Sequence, residues 1–284
     1  MKKIKYLLII IILFTLSGCK SDVMDDINIA TSVYPIDYVV KNLYGEHSTV
    51  NSIYPMDSDI TEFEVTEVLL EQYSDNELFI FNGLSEEKNY IKPMLKNNKD
   101  LKIIDVSSNM HYDYSIEELW LDPNNLLTIA NNIKNGFDEY INSKYLVNEI
   151  NKNYEELKIN LTMLEGKYYS TFKKSDTNTI IVSNDSFKYL EKYGVKVISL
   201  DKDTRKDKDI NNAKELLSNG GCKYIFIKYK EELDSEIEDI ISDTNSTTME
   251  LYTFTNLSDI NVDQTDYIVL MNQNLENLKM ELLK

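Results

Sequence analysis

Glycine, proline, cysteine and histidine are scarce in this 284-residue chain, at 8, 4, 2 and 2 residues, and there is one Trp and one arginine, Arg205. So little Gly and Pro excludes collagen-like and elastin-like repeats. Basic residues are outnumbered, 30 Lys+Arg against 48 Asp+Glu, for a formal net charge of −18. That denies the chain the basic surface a nucleic-acid backbone requires, so no nucleic-acid partner is expected. The motifs G-x-S-x-G, H-E-x-x-H and G-x-x-x-x-G-K-[ST] are missing, as is any plausible Cys/His pair, and an enzyme is not expected. The N-terminal apolar run, Tyr6–Leu16, has eleven residues, well short of the roughly 20 a membrane-spanning helix needs. The bias away from Gly, Pro and Arg toward Lys, Asn, Ile and Tyr reads as genome preference rather than function.

What remains is ordinary globular material: 42% hydrophobic and 27% charged residues, which excludes wholesale disorder. The length suits one large domain or two small ones, with a sizeable core and no crosslinks. The acidic balance fits a soluble body that binds cations or a small ligand. At the N-terminus, Lys2, Lys3 and Lys5 precede the apolar run, which closes on Leu16-Ser17-Gly18-Cys19. This is the pattern of a signal peptide, and its end resembles the bacterial lipobox, whose cysteine is lipidated and becomes the new N-terminus. The alternative is an ordinary signal peptide with an incidental cysteine. Two acyl chains on Cys19 would anchor stably where one is marginal. Loss of residues 1–18 removes three lysines and takes the net charge from −18 to −21. Lys20–Asp26 then reads as a tether. With Cys19 lipidated, Cys222 has no disulfide partner, and its apolar neighbours Tyr224–Ile227 predict a buried, inert thiol.

Strand-like and helix-like segments alternate from residue 27 on. Strands are expected at Ile27–Val33, Thr49–Tyr54, Glu77–Phe81 and Leu101–Val106, and helices at Ile36–Tyr44, Thr66–Gln72 and Tyr90–Lys96. Asp122-Pro123 is a good helix start, an N-cap followed by proline, with a helix to about Tyr140. From Lys144 to about Lys174 apolar residues recur at Leu146, Ile150, Tyr154, Leu157, Leu161, Leu164 and Tyr168. That spacing predicts one helix of about 45 Å. The second half repeats the alternation, with strands at Thr179–Val182, Lys196–Leu200, Tyr224–Ile227 and Met249–Phe254. Its helices fall at Phe187–Tyr193, Ile210–Leu217, Leu233–Ser242 and Asp266–Leu283. The expected fold class is α/β: two parallel-sheet lobes covered by helices and joined by one long rigid helix. The expected organisation is a signal peptide (1–18), a lipidated tether (19–26), an N-terminal lobe (27–143), the linking helix (144–174) and a C-terminal lobe (175–284).

Several segments resemble the substrate-binding lipoproteins of ABC transporters for zinc and manganese. Thr31-Ser32-Val33-Tyr34-Pro35 resembles the opening strand and turn of that family, and YPMDSDITEFEVT (54–66) its P-G-A-D-P-H-D-Y-E-P-T segment. Phe81-Asn82-Gly83-Leu84, with Glu86 or Glu87 after it, resembles N-G-L-G-x-E; EELWLDP (117–123) resembles P-H-x-W-L-D-P; SNDSFKYLEKYG (183–194) resembles S-H-x-A-F-x-Y-x-x-x-Y-G. The resemblance implies two lobes on a long helix, a divalent metal ion as cargo, an ABC permease and ATPase as partners, attachment to the cell membrane through the lipid, and a monomer.

The same resemblance implies three histidines and a carboxylate around the metal, and here the chain departs from it. The aligned positions are Thr61, Glu118, Asn184 and Thr255. Neither histidine, His47 or His111, stands at a ligand position; both are expected at the surface. Zn²⁺ prefers nitrogen and sulfur donors. A set built from Thr61, Glu118, Asn184 and Thr255, with Glu62, Glu64, Asp185 or Asp259 nearby, would be all oxygen and would suit Mn²⁺, Ca²⁺ or Mg²⁺ better. Glu118 is the strongest candidate, because it replaces one potential ligand with another. Glu62 and Glu64 also read as solvated or helix-start acids, and Asp122 as a helix cap. A second reading is a binding protein that has lost metal and carries an organic ligand or a metal chelate, or serves as a surface adhesin; the 20 tyrosines offer stacking platforms, though most are expected to be packing residues.

Overall fold

A computed structural model describes residues 24–55, 59, 60, 62–261 and 265–283. Cys19, the start of the tether and Thr61 lie outside the described residues, as do residues 56–58 of the segment around Thr61. Two four-stranded parallel sheets form two lobes. The first contains β1 (Ile27–Thr31), β2 (Ser48–Ser52), β3 (Leu78–Phe81) and β4 (Lys102–Asp105) in the order β2-β1-β3-β4. The second contains β5 (Thr179–Val182), β6 (Lys196–Ser199), β7 (Tyr224–Lys228) and β8 (Thr247–Leu251) in the order β6-β5-β7-β8. The central strands carry continuous apolar runs, such as Leu-Phe-Ile-Phe in β3 with all four residues buried. That is the signature of a strand covered on both faces. The edge strand β2, Ser-Thr-Val-Asn-Ser, has no fully buried residue.

Helices α1 (Tyr34–Tyr44), α2 (Glu67–Ser74), α3 (Ile91–Asn97), α4 (Glu118–Leu121) and α5 (Pro123–Tyr140) cover the first sheet and lead out of it. As the Asp122-Pro123 pair predicts, Asp122 caps α5 by accepting the Asn124 N–H at 2.9 Å. The long helix α6 runs from Lys144 to Lys173 without a break, capped by the Ser143 hydroxyl. Helices α7 (Asp207–Ser218), α8 (Ser235–Thr244) and α9 (Tyr267–Leu282) complete the second lobe.

Two expectations are corrected, and one element is added. The stretch Phe187–Tyr193, read as an α-helix, is part of a 3-10 helix over Asp185–Tyr193; Gly194 closes it at φ 94°, a left-handed conformation that glycine adopts without strain. The strand expected to reach Phe254 ends at Leu251, and the chain turns at Phe254, whose φ is 65°. That turn places the Phe254 ring against Tyr267 at 5.0 Å and Tyr34 at 6.0 Å, contacts that offset the cost of a left-handed phenylalanine. The short helix α4 was not foreseen.

One face of each sheet packs on a common apolar cluster that also takes in Leu146, Ile150, Leu157, Leu161, Leu164, Tyr168 and Phe172 of α6. Burying each such side chain contributes about 2 kcal/mol of hydrophobic free energy before ordering costs. The opposite faces have their own clusters: Ala30, Ile53, Leu70, Phe79, Phe81, Met94 and Leu101 in the first lobe, and ten residues including Ile181, Ile225 and Cys222 in the second. Cys222 is buried as expected, its Sγ 3.4 Å from the Thr179 carbonyl.

Candidate functional site

In both sheets the strand order reverses beside the first strand, and in open parallel sheets ligands gather outside the carboxyl ends of the strands at such a point. At this point in the first lobe, Ser32 follows β1 and its hydroxyl donates to Glu87 at 2.5 Å; the Asn82 N–H, just past β3, donates to the other Glu87 oxygen at 2.8 Å. The next N–H, that of Gly83, donates to the Asp105 carboxylate at 3.0 Å, and a Cβ at Gly83 would press on that carboxylate. Glu87 is only 2% exposed, and burial pushes its carboxyl up to about 7, against the opposing hydrogen bonds of Asn82, Ser32, Ser85 and Tyr54. The second lobe repeats the device. Ser183 follows β5 and donates to Glu231 at 2.5 Å, and the Lys228 N–H, ending β7, donates to the same carboxylate at 2.7 Å.

The lobes meet in front of these strand ends. The Ile60 N–H donates to the Thr255 carbonyl at 2.9 Å beside an antiparallel bridge between Asp59 and Asn256. The Trp120 indole N–H donates to the Thr253 carbonyl at 2.9 Å, and the Tyr267 hydroxyl donates to the Trp120 carbonyl at 2.6 Å. Lys228 of the second lobe pairs with Glu117 of the first at 3.2 Å. Burial raises the Glu117 carboxyl, but the Lys228 charge and the Ser115 hydroxyl outweigh it and hold the group below the ordinary range.

A cavity of about 690 Å³ lies against this seam. It brings Glu62, Asn184 and Thr255 together with Asp59, Asp201 and Glu231; in all, seven acidic and three basic side chains line it. Glu118, Asp185 and Glu64 are not among its walls. Glu118, the strongest candidate from sequence, accepts three backbone N–H groups, from Asp113, Tyr114 and Ser115 at 3.1, 2.8 and 3.0 Å. The Ser115-x-x-Glu118 spacing is that of a capping box, of which only the glutamate half forms: the Ser115 N–H donates to Glu118, while the Ser115 hydroxyl donates to Glu117. Asn184 caps the 3-10 helix by accepting from the Ser186 N–H at 2.9 Å, and its amide donates to Asp201 at 2.8 Å. The Thr255 hydroxyl pairs with that of Thr253 at 2.9 Å. Asp185 accepts from the Thr204 hydroxyl at 2.9 Å, and Glu62 and Glu64 are exposed. Asp259 pairs with Lys230. Among the described residues no three His, Cys, Asp or Glu side chains converge as metal ligands. His111 is exposed, whereas His47 is partly covered between Asp25 at 2.8 Å and Glu149 at 3.2 Å, which hold its imidazole pKa above the usual value.

A family model described as zinc-uptake complex component A, periplasmic (ZnuA), matches residues 29–281. The chain belongs to the ZnuA family. Among its relatives, the manganese-binding lipoprotein MntA of Halalkalibacterium halodurans is 24% identical over 216 residues, covering 70% of this chain and 71% of MntA. The structure superposes on the metal-dependent lipoprotein YcdH of Bacillus subtilis with a TM-score of 0.74 at 22% identity, covering 91% of this chain and 100% of YcdH. It also superposes on the Zn(II)-bound ZnuA-like domain of Streptococcus pneumoniae AdcA with a TM-score of 0.74 at 18% identity, covering 91% of this chain and 100% of that domain. The resemblance drawn from the residues and the two-lobed α/β fold are thus borne out. ZnuA-family proteins are the extracytoplasmic solute-binding components of ABC importers for zinc and manganese, which work with a permease and an ATPase. Among the described residues no helix is long and apolar enough to cross a membrane.

Proposed function

We propose that this ZnuA-family protein is a monomeric lipoprotein, anchored through Cys19, that presents a hard divalent cation to its permease and holds Zn²⁺ weakly or not at all. The observation that carries this reading is the fate of the aligned ligand positions: the Glu118 carboxylate is taken up by backbone N–H groups of the preceding loop, Asn184 caps the 3-10 helix, and the Thr255 hydroxyl is paired with Thr253. The cargo site is the acidic seam cavity, with Glu62, Asn184 and Thr255 facing it. Oxygen donors that do not converge into a compact shell suit a cation that keeps part of its water, as hard cations do, rather than Zn²⁺ with four short bonds.

The test is metal analysis of the purified protein followed by calorimetric titration with Mn²⁺ and Zn²⁺. Mn²⁺ should bind, Zn²⁺ should bind no tighter than micromolar, and Glu62→Gln should weaken Mn²⁺ by at least about tenfold, or 1.4 kcal/mol. Sub-micromolar Zn²⁺ affinity indifferent to Glu62 and Glu118 would overturn the assignment of the site. The anchor is tested separately: Cys19→Ala should move the protein out of the membrane fraction, and a variant that stays there refutes lipidation at Cys19.

A further inference from the structure

A second cavity, of about 560 Å³, lies beside α1 rather than in the acidic seam. Its walls come from one face of α1, the edge strand β2 and the residues leading into α9, so both lobes contribute. Three tyrosines, Tyr34, Tyr38 and Tyr54, form its aromatic surfaces. Each ring is in contact with a second aromatic ring. Tyr34 stacks on Phe254 at 6.0 Å, Tyr38 leans on Tyr267 at 5.6 Å, and Tyr54 meets Phe63 edge-on at 6.0 Å. The Tyr54 hydroxyl is also tied to the buried Glu87. Walls fixed in advance lose little conformational entropy when the space is filled.

Charge selects the ligand. The charged residues of the lining are Asp37, Lys41 and Asp266. Asp37 and Lys41 lie one turn apart on α1 and neutralise each other at 2.8 Å. Asp266 caps α9 by accepting the Val269 N–H at 2.9 Å, and no Lys, Arg or His pairs with it among the described residues. Its negative charge reaches Tyr34 and Tyr38: burial first, then Asp266, push both phenol pKa values well above the ordinary range. The walls therefore combine π-faces, which present the negative part of the ring quadrupole, with one carboxylate whose charge no neighbouring cation cancels. An anion is repelled by that arrangement. A bare metal ion lacks a converging third ligand, and a neutral guest forgoes the charge term.

We propose that this cavity binds an organic ammonium ion, a protonated or quaternary amine on a small apolar body. The proposal is independent of the metal cargo, so its test is run with metal chelated. Choline and benzyltrimethylammonium are titrated into the protein by calorimetry, with 3,3-dimethylbutan-1-ol, the uncharged isostere of choline, as control. At least one cation should bind, and choline should exceed its isostere by at least about tenfold, which is 1.4 kcal/mol and lies between the values for exposed and for desolvated cation–π contacts. Tyr38→Leu, which removes the π-face, and Asp266→Asn, which keeps a capping side chain, should each weaken binding by at least about fivefold with an unchanged circular dichroism spectrum. If Tyr38→Leu fails to fold, Asp266→Asn still decides. No binding of either cation at millimolar concentration, equal binding of the isostere, or indifference to Asp266→Asn overturns the proposal.

Discussion

Both lobes carry the same strand order and join their central strands in the same way, with a serine just past the first strand donating to a glutamate just beyond the third. What covers the glutamate differs. In the first lobe the loop 82–90 and Tyr54 close over Glu87, which is left 2% exposed with its carboxyl pushed to about 7. In the second lobe the shorter loop 229–234 leaves Glu231 part-exposed at the wall of the seam cavity. The same topology thus yields an inward carboxylate that belongs to the wall and an outward one that lines the seam cavity. The chemistry of such a strand end is set by the loop laid over it, not by the order of the strands beneath.

Substitutions can break or sharpen this contrast. The largest effect should come from Glu87→Ala, which orphans the Ser32 hydroxyl and the Asn82 N–H and leaves a cavity; at pH 5 it should cost about 4 kcal/mol in urea unfolding. Next comes the pH dependence of the same group. Its carboxyl titrates near 4.5 when unfolded and near 7 when folded, so between those values the folded protein holds a proton that the unfolded chain has released. The stability this group contributes is complete below about pH 4.5 and is lost as the pH rises through 7, by about 3 kcal/mol. Glu87→Gln should flatten that slope, since its amide can donate to the Ser32 oxygen and still accept from Asn82. Lys228→Met should cost about 2 kcal/mol by leaving the Glu117 carboxylate buried without its cation. Glu117 has a lowered pKa, so this loss should be full at neutral pH and fade as the pH falls through the carboxylate range. The smallest effect should be that of Glu231→Ala, about 1 kcal/mol, because water can reach the donors it abandons. Equal costs for Glu87→Ala and Glu231→Ala would refute the contrast between the two lobes.

Local and periodic signals made much of this fold legible in the sequence. The recurrence from Leu146 to Tyr168 predicted α6 nearly to the residue, and Asp122-Pro123 marked the start of α5. Phe254 was misread because Met249–Phe254 has strand-like composition throughout, and only packing on Tyr34 and Tyr267 explains the turn there. The site was harder to read. Alignment placed Glu118 and Asn184 where ligands stand in the family, but alignment does not say where a carboxylate spends its lone pairs; Glu118 spends its own on backbone three to five residues earlier. The Ser32–Glu87 and Ser183–Glu231 pairs join residues 55 and 48 positions apart. Ser32, Glu87 and Ser183 each fall in a family-like segment, but no period or motif pairs them with their partners, because only the folded sheet brings them together.

The apolar cluster shared by the two lobes also governs the order in which the protein can be assembled. Leu157, Leu161, Leu164 and Tyr168 of α6 pack in the same cluster as Leu270, Met271, Leu275 and Leu278 of α9. The Tyr168 hydroxyl reaches the Met271 carbonyl across 103 positions of sequence. A chain synthesised from its N-terminus can cover part of α6 with α1 and α5, but the part of its apolar stripe that meets α9 stays bare until that helix has emerged. Contacts so distant in sequence close late and slowly, and through that interval the nascent chain is prone to aggregate and suited to capture by a holding chaperone.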